Sequence, residues 1–173
     1  MEKYKLTAFD LKLALMQYYR FNKQCMCVDE CKGADILADT GSEFIEVEVK
    51  ITKSDLMREK KKKRNKHHRF KTADRGSWNQ WYLPNRFLFC VPEKLSKFAL
   101  DYVSELNSNY GVIIFNTELY LQAIQTDCVY WQQYNYFLTV VKSAKKLHND
   151  YNKELKWNIA MRTSAKIISL MKR

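Results

Sequence analysis

Three residues of this chain, Asp35, Glu48 and Lys50, have types and spacing that suit chemistry on a phosphate. From Ile45 to Ile51 the side chains alternate strictly: Ile45, Val47, Val49 and Ile51 point one way, Glu46, Glu48 and Lys50 the other. Just upstream, Ala34 to Ala38 is a second short apolar run, and Asp39-Thr40-Gly41-Ser42 between the two has turn chemistry. The runs therefore read as two strands of a hairpin. With a two-residue loop Asp35 stands opposite Glu46 and diagonal to Glu48; with a four-residue loop it faces Glu48 directly. In either register Asp35, Glu48 and Lys50 share a face.

Two carboxylates with Cβ atoms about 5 to 8 Å apart repel unless a cation lies between them, and Mg²⁺ held by one or two carboxylates plus water suits the gap. A lysine one side-chain step along the strand can orient an attacking water or meet charge developing on a phosphate. These are the parts of metal-assisted phosphodiester hydrolysis. The plain alternative is a wetted face, polar because one side of an antiparallel strand meets water. The triplet alone is cheap, since Glu59-Lys60-Lys61 and Glu154-Leu155-Lys156 also satisfy Glu-x-Lys. Only Glu48-Val49-Lys50 lies in an alternating strand with an upstream Asp of matching parity.

Asp35, twelve intervening residues and then Glu48-Val49-Lys50 resemble the signature of the PD-(D/E)XK nuclease superfamily. EVEVKITKSDL followed by a lysine run, then YLPNRFLFCVPEKL and YGVIIF, is similar to MmcB-type and Holliday-junction-resolvase-like DNA-repair nucleases. The likeness spans most of residues 25 to 115 and resumes near VVKSAKKLH and the C-terminal helix. It implies a restriction-endonuclease-like α/β fold, a mixed sheet flanked by helices. It also implies Asp35, Glu48 and the Val49 carbonyl as ligands of Mg²⁺, with Mn²⁺ able to substitute, and Lys50 as the catalytic lysine. Ala34 stands where the motif has Pro. Many such nucleases carry one more acidic residue upstream; Glu30 or Asp10 fits that place, and Glu30 is preferred because it is nearer to Asp35 in sequence.

The surrounding elements follow from pattern. Thr7 with Asp10 three residues later is a capping box for a first helix ending near Phe21-Asn22, whose stripe runs through Leu6, Phe9, Leu13, Met16 and Arg20. Cys25 to Cys31 reads as the first strand, closed by the Lys32-Gly33 turn. Thr52 and Asp55 form a second capping box, so a helix starts near Lys53 directly after the Glu-x-Lys strand.

That helix is cationic. Arg58 to Lys71 holds nine Lys or Arg against one acid, Glu59, which is +8 of the chain's formal +11. Its cations, Lys53, Arg58, Lys60, Lys61, Lys62, Lys63, Arg64, Lys66, Arg69 and Lys71, would surround the route to the carboxylates and bind nucleic acid by releasing counterions from phosphates. A nuclear-localisation signal or an acidic membrane surface would explain the lysines and leave the carboxylates unexplained. His67 and His68 read as phosphate contacts or bystanders. In the following KTADRGSWNQWYLPN, Trp78, Trp81 and Tyr82 suit stacking on unpaired bases or packing as a lid.

Downstream, Arg86 to Val91 is a buried central strand and Pro92-Glu93 opens a helix with Leu95, Phe98, Ala99, Tyr102 and Leu106 inward. Val112 to Phe115 is the next strand, and the strand-helix-strand order makes this part of the sheet parallel. Residues 116–135 read as a helix or an extra hairpin, with core packing the safer role for their aromatics; Phe137 to Val141 is an edge strand and Tyr151 to Met171 a closing helix with a mixed stripe.

A length of 173 residues and 46% hydrophobic content suit one folded domain, residues 1–173, with a nuclease core over about 7–115 and an extension over 116–173. There is no 18-residue apolar run and no apolar leader in MEKYKLTAFD, so the expected location is the cytoplasm, with no membrane partner expected. Five unpaired-looking cysteines suit reduced thiols better than a zinc site at Cys25, Cys27, Cys31 and His67 or His68. The expected activity is a metal-dependent endonuclease acting on DNA in repair or recombination, and resolvase-like relatives imply a homodimer. A non-catalytic nucleic-acid-binding protein on the same fold is the alternative, and a protein-interaction module is a third. RNA remains open beside DNA.

Overall fold

The computed structural model describes residues 4–72, 83–125 and 136–172. Its centre is a six-stranded sheet in the order β1 (Met26–Cys31), β2 (Ala34–Asp39), β3 (Phe44–Val49), β4 (Arg86–Pro92), β5 (Gly111–Phe115) and β6 (Leu138–Lys142). β2 runs antiparallel to both β1 and β3, β3, β4 and β5 are parallel, and β6 returns antiparallel on the far edge. The sheet is mixed because a tight hairpin loop can only reverse direction, whereas a crossover through helices restores it. The β2–β3 loop holds four residues, Thr40 to Glu43, closed by Asp39 accepting from the Gly41 N–H at 2.7 Å. Gly41 there has φ +90, the left-handed conformation that favours glycine.

Among the described residues six α-helices cover the sheet: α1 (Ala8–Gln17), extended by a π-helical turn at Tyr18–Asn22, α2 (Lys53–Lys62), α3 (Arg64–Thr72), α4 (Ser96–Leu106), α5 (Thr117–Gln125) and α6 (Lys153–Met171). On one face Leu11, Ala14 and Leu15 of α1 and Tyr120 of α5 pack on Ile36, Ala38, Val47, Val49 and Ile113. On the other, Leu56 and Phe70 of the α2–α3 pair and Ala99, Tyr102 and Val103 of α4 pack on Phe87, Phe89 and Val112. A third cluster joins Leu155 and Ile159 of α6 to Val28, Leu37 and Phe44. Asn85, 1% exposed, stitches the last two together: its Oδ1 accepts from the Phe44 N–H, and its Nδ2 donates to the carbonyls of His148 and Asp150.

Three expectations shift. The buried line of α1 is Leu11, Ala14 and Leu15, and Phe9 is 69% exposed, so the helix is rotated from the expected stripe. The reason is Asp10: besides capping Thr7 through its N–H and hydroxyl, it accepts from the Tyr4 and Tyr120 hydroxyls, which turns residue 10 toward α5. The basic segment is two helices broken at Lys63 (φ −115, ψ 30) rather than one. Residues 117–125, legible only as helix or hairpin, are helical. The segment with Trp78, Trp81 and Tyr82, and the aromatics within residues 126–135, lie outside the described residues. Among the described residues no helix is long and apolar enough to cross a membrane.

Candidate active site

The register settles the parity of the hairpin. Ile36 pairs with Val47 and Leu37 with Glu46, and the ladder ends there, one residue short of Asp35 on β2 and of Glu48 on β3. At that step the strands part. The Val49 N–H, which points toward β2, is taken at 2.8 Å by Oδ2 of Asp35 in place of a β2 carbonyl. Because N–H and C=O of a strand residue point to the same side, the Val49 carbonyl also faces the fork. The parting follows from the tight turn that begins β2, where Glu30, Lys32 and Gly33 all have positive φ.

Glu48 has no exposure, and Lys50 is 7% exposed. The Lys50 Nζ is 3.2 Å from Oε2 of Glu48, while Oε1 receives the Nζ of Lys63 at 2.6 Å and of Lys66 at 2.5 Å. Lys66 also pairs with Glu46, and Lys63 reaches the Gly33 carbonyl at 3.3 Å. On its other side Lys50 lies 2.8 Å from Oε2 of Glu59. Oε1 of Glu59 meets Nε2 of His67 at 3.2 Å, and His67 Nδ1 is hydrogen-bonded to the Tyr110 hydroxyl at 2.9 Å. Asp35 is held separately, by Lys12 of α1 at 3.1 Å. Phe87 and Phe89, in register with Glu46 and Glu48 on β4, floor the cluster. Three buried acids from β3 and α2 are thus matched by three lysines.

Electrostatics follow from that matching. Burial would raise the Glu48 carboxyl, but Lys66, Lys63 and Lys50 together outweigh it and hold it below the usual range. Glu46 goes the other way: full burial raises it, Glu48 adds to the rise, and Lys66 offsets only part. Burial pulls Lys50 and Lys66 down, yet the facing carboxylates win and both are raised. Glu59 is lowered against its burial, chiefly by the His67 and Lys50 contacts.

Of the sequence-predicted residues, the fold joins Glu48 and Lys50 in one ion-paired cluster and holds Asp35 beside it, on the Val49 N–H and Lys12. It leaves Glu30 apart, with its side chain 59% exposed and tied to Asp35 only through Lys12, which it meets at 3.3 Å. Asp10 is engaged at α5 and takes no part. Among the cations, Arg58, Lys60, Lys61, Arg64 and Lys71 are exposed and Arg69 half-buried. Lys53 lies at the start of α2, 4.4 Å from the Phe98 ring centroid. Lys63 and Lys66 do not spread outward with the rest; they turn inward to the carboxylates, because Glu46 and Glu48 buried under α3 require counter-charge. Even so, both help line an open cavity of about 340 Å³ with Lys61, Arg64 and Asn65.

Sequence reasoning missed Lys12, Glu59 and His67. Glu59 carried a faint signal as the single acid among nine cations. Lys12 carried none, since its meeting with Asp35 depends on how α1 lies on the sheet.

The donor set at the fork is all oxygen, which suits a hard ion such as Mg²⁺. Among the described residues no group of three or more His, Cys, Asp or Glu could hold a metal, so a site there rests on two carboxylates and a carbonyl. Magnesium sites built on one or two carboxylates and water are of that kind. The residues suit the ion in type, and Lys63 and Lys66 would have to give up Oε1 of Glu48 to it.

No protein-family model and no curated protein matches this chain. Among solved structures, a protein of unknown function from Silicibacter pomeroyi is similar over 97% of this chain and 94% of its own, with a TM-score of 0.62 and 14% identity. At that identity the likeness concerns the fold.

Proposed function

We propose that this chain is a metal-dependent DNA endonuclease with a restriction-endonuclease-like fold of the PD-(D/E)XK type. The observation that carries the reading is the fork at the end of the β2–β3 pair, where Oδ2 of Asp35 takes the Val49 N–H at 2.8 Å and Lys50 reaches Glu48 at 3.2 Å. Asp35, Glu48 and the Val49 carbonyl would hold Mg²⁺ or Mn²⁺. When bound, the ion would supply Lewis-acid stabilisation of phosphate charge and a more acidic water. Lys50, kept charged and fixed between Glu48 and Glu59, orients that water or meets charge on the phosphate. The exposed cations of α2 and α3 hold the backbone, and the cavity lined by Lys61, Lys63, Arg64 and Lys66 suits a phosphate.

Repair or recombination of branched DNA in the cytoplasm, by a homodimer that places two sites on two strands, completes the proposal. The free thiols of Cys25, Cys27, Cys31 and Cys90 are in keeping with a reducing compartment. Mg²⁺ and Mn²⁺ titrations against linear, branched and single-stranded DNA, beside Glu48→Ala and Lys50→Ala, test it. Cleavage that needs metal and is lost in both variants while binding survives is the expected result.

One observation favours a second reading, a non-catalytic nucleic-acid-binding protein on the same fold. Both oxygens of Glu48 are already occupied by lysines. Tight, salt-sensitive binding with no cutting under either metal would select it.

A further inference from the structure

The lysines that neutralise Glu48 also line the basic cavity, and this double membership joins two sites that are otherwise separate. Lys63 and Lys66 place their ammoniums on Oε1 of Glu48, yet with Lys61 and Arg64 they form the wall a phosphate would meet. We propose that Lys63 and Lys66 are exchangeable counter-ions, held by Glu48 and Glu46 in the free protein and passed to backbone phosphates when nucleic acid docks on α3. Nucleic acid and divalent cation are then positively coupled ligands. The identity of the cation rests on the nuclease reading above.

Four features support the exchange. The two ammoniums at 2.5 and 2.6 Å from Oε1 of Glu48 repel a divalent cation, so the ion and the lysines compete for that oxygen. Lys63 stands at the break between α2 and α3, where its backbone has left helical geometry, and its side chain is 31% exposed. It can swing outward without unwinding either helix. A phosphate in the cavity offers both lysines an equivalent anionic partner in a wetter place, and their departure leaves Glu46 and Glu48 buried with reduced compensation, which raises their affinity for a cation. Lys50 does not take part, because Glu59 anchors it at 2.8 Å whatever happens at Oε1 of Glu48, and Glu59 is itself braced by His67 and Tyr110. The cations that move and the lysine assigned to chemistry are therefore distinct.

Linkage makes the coupling reciprocal: whatever factor nucleic acid adds to metal affinity, metal adds to nucleic-acid affinity. The experiment measures Mn²⁺ binding by electron paramagnetic resonance for the full chain, alone and saturated with a 20-mer duplex or single strand, with Mn²⁺ bound by the oligonucleotide alone subtracted. Wild type is expected to bind Mn²⁺ about 5 to 150 times more tightly with DNA than without, the usual span of such couplings. Lys63→Gln, the more exposed and less disruptive of the two, and Lys66→Met are each expected to bind Mn²⁺ more tightly than wild type in the absence of DNA and to show a smaller gain on adding it.

Equal Mn²⁺ affinity with and without DNA in wild type, or no tightening in a folded Lys63→Gln, overturns the exchange. Metal-dependent cleavage without coupling overturns the exchange and leaves the nuclease reading standing. Coupling without cleavage supports the exchange and removes hydrolysis. Failure of every protein to bind Mn²⁺ overturns both.

Discussion

The two faces of β3 are buried to nearly the same degree by opposite means. Val47 and Val49 on one side are 0% and 4% exposed, and Glu46 and Glu48 on the other are 4% and 0%. The first pair lies in the apolar cluster beneath α1 and is stabilised by loss of water contact alone. The second lies beneath α3 and is tolerable only because Lys50, Lys63 and Lys66 arrive from the same strand and the helix above it. An apolar face tolerates small changes in its partners. A charged buried face depends on each counter-ion, and that dependence is what makes its lysines able to report a phosphate.

The largest test of this contrast is Lys66→Met. It leaves Glu46 and Glu48 buried with too little counter-charge, and breaking a buried pair in this way costs about 3 to 5 kcal/mol. Urea denaturation should show that loss, whereas Ile36→Val, which trims one methyl group opposite Val47 on the apolar face, should cost about 0.5 to 1.5 kcal/mol. Equal losses from the two would erase the distinction between the faces.

A subtler outcome concerns pH. Glu46 is raised above its ordinary value of 4.5, so its contribution to stability is fully present below that value and is lost as pH rises through the raised one. Glu48 is lowered, so its contribution is present above the ordinary range and is lost only as pH falls through the depressed value. Between pH 5 and neutrality only the Glu46 effect operates among these two. Glu46→Gln should therefore flatten the decline of stability with rising pH in that window, as read from chemical denaturation at a series of pH values; an unchanged slope would mean Glu46 is ionised throughout.

The smallest effect is expected at Lys61, exposed and outside the carboxylate cluster. Lys61→Ala should leave stability within about 0.5 kcal/mol of wild type and lower the salt slope of DNA binding by about one. Lys63→Gln, by contrast, should alter both stability and binding, since Lys63 serves both the carboxylates and the cavity.

Much of the scaffold was legible because its signals are local. The alternation at Ile45 to Ile51 and the Thr52 cap depend on neighbours a few residues away, and β3 and α2 fall where those signals put them; Pro92 instead closes β4, with a 3₁₀ turn at Glu93–Leu95 before α4. The parity argument reached as far as the loop, which holds four residues, one of the two lengths it allowed. The rotation of α1 was not legible, because the Tyr120 hydroxyl that fixes Asp10 comes from 110 residues away. Nor was the inward turn of Lys63 and Lys66, which share a lysine-rich run with neighbours that stay exposed.

By itself the order of residues determined that Glu46 and Glu48 would lie on the face of β3 opposite Val47 and Val49 and that a basic helical segment would follow. Strand periodicity and turn length are short-range constraints that no distant contact can change without shifting every side chain to the other face. Only the tertiary structure decided which cations meet the carboxylates. That choice depends on how α1 and α3 lie across the sheet, and it is governed by the need to match charge wherever water is excluded.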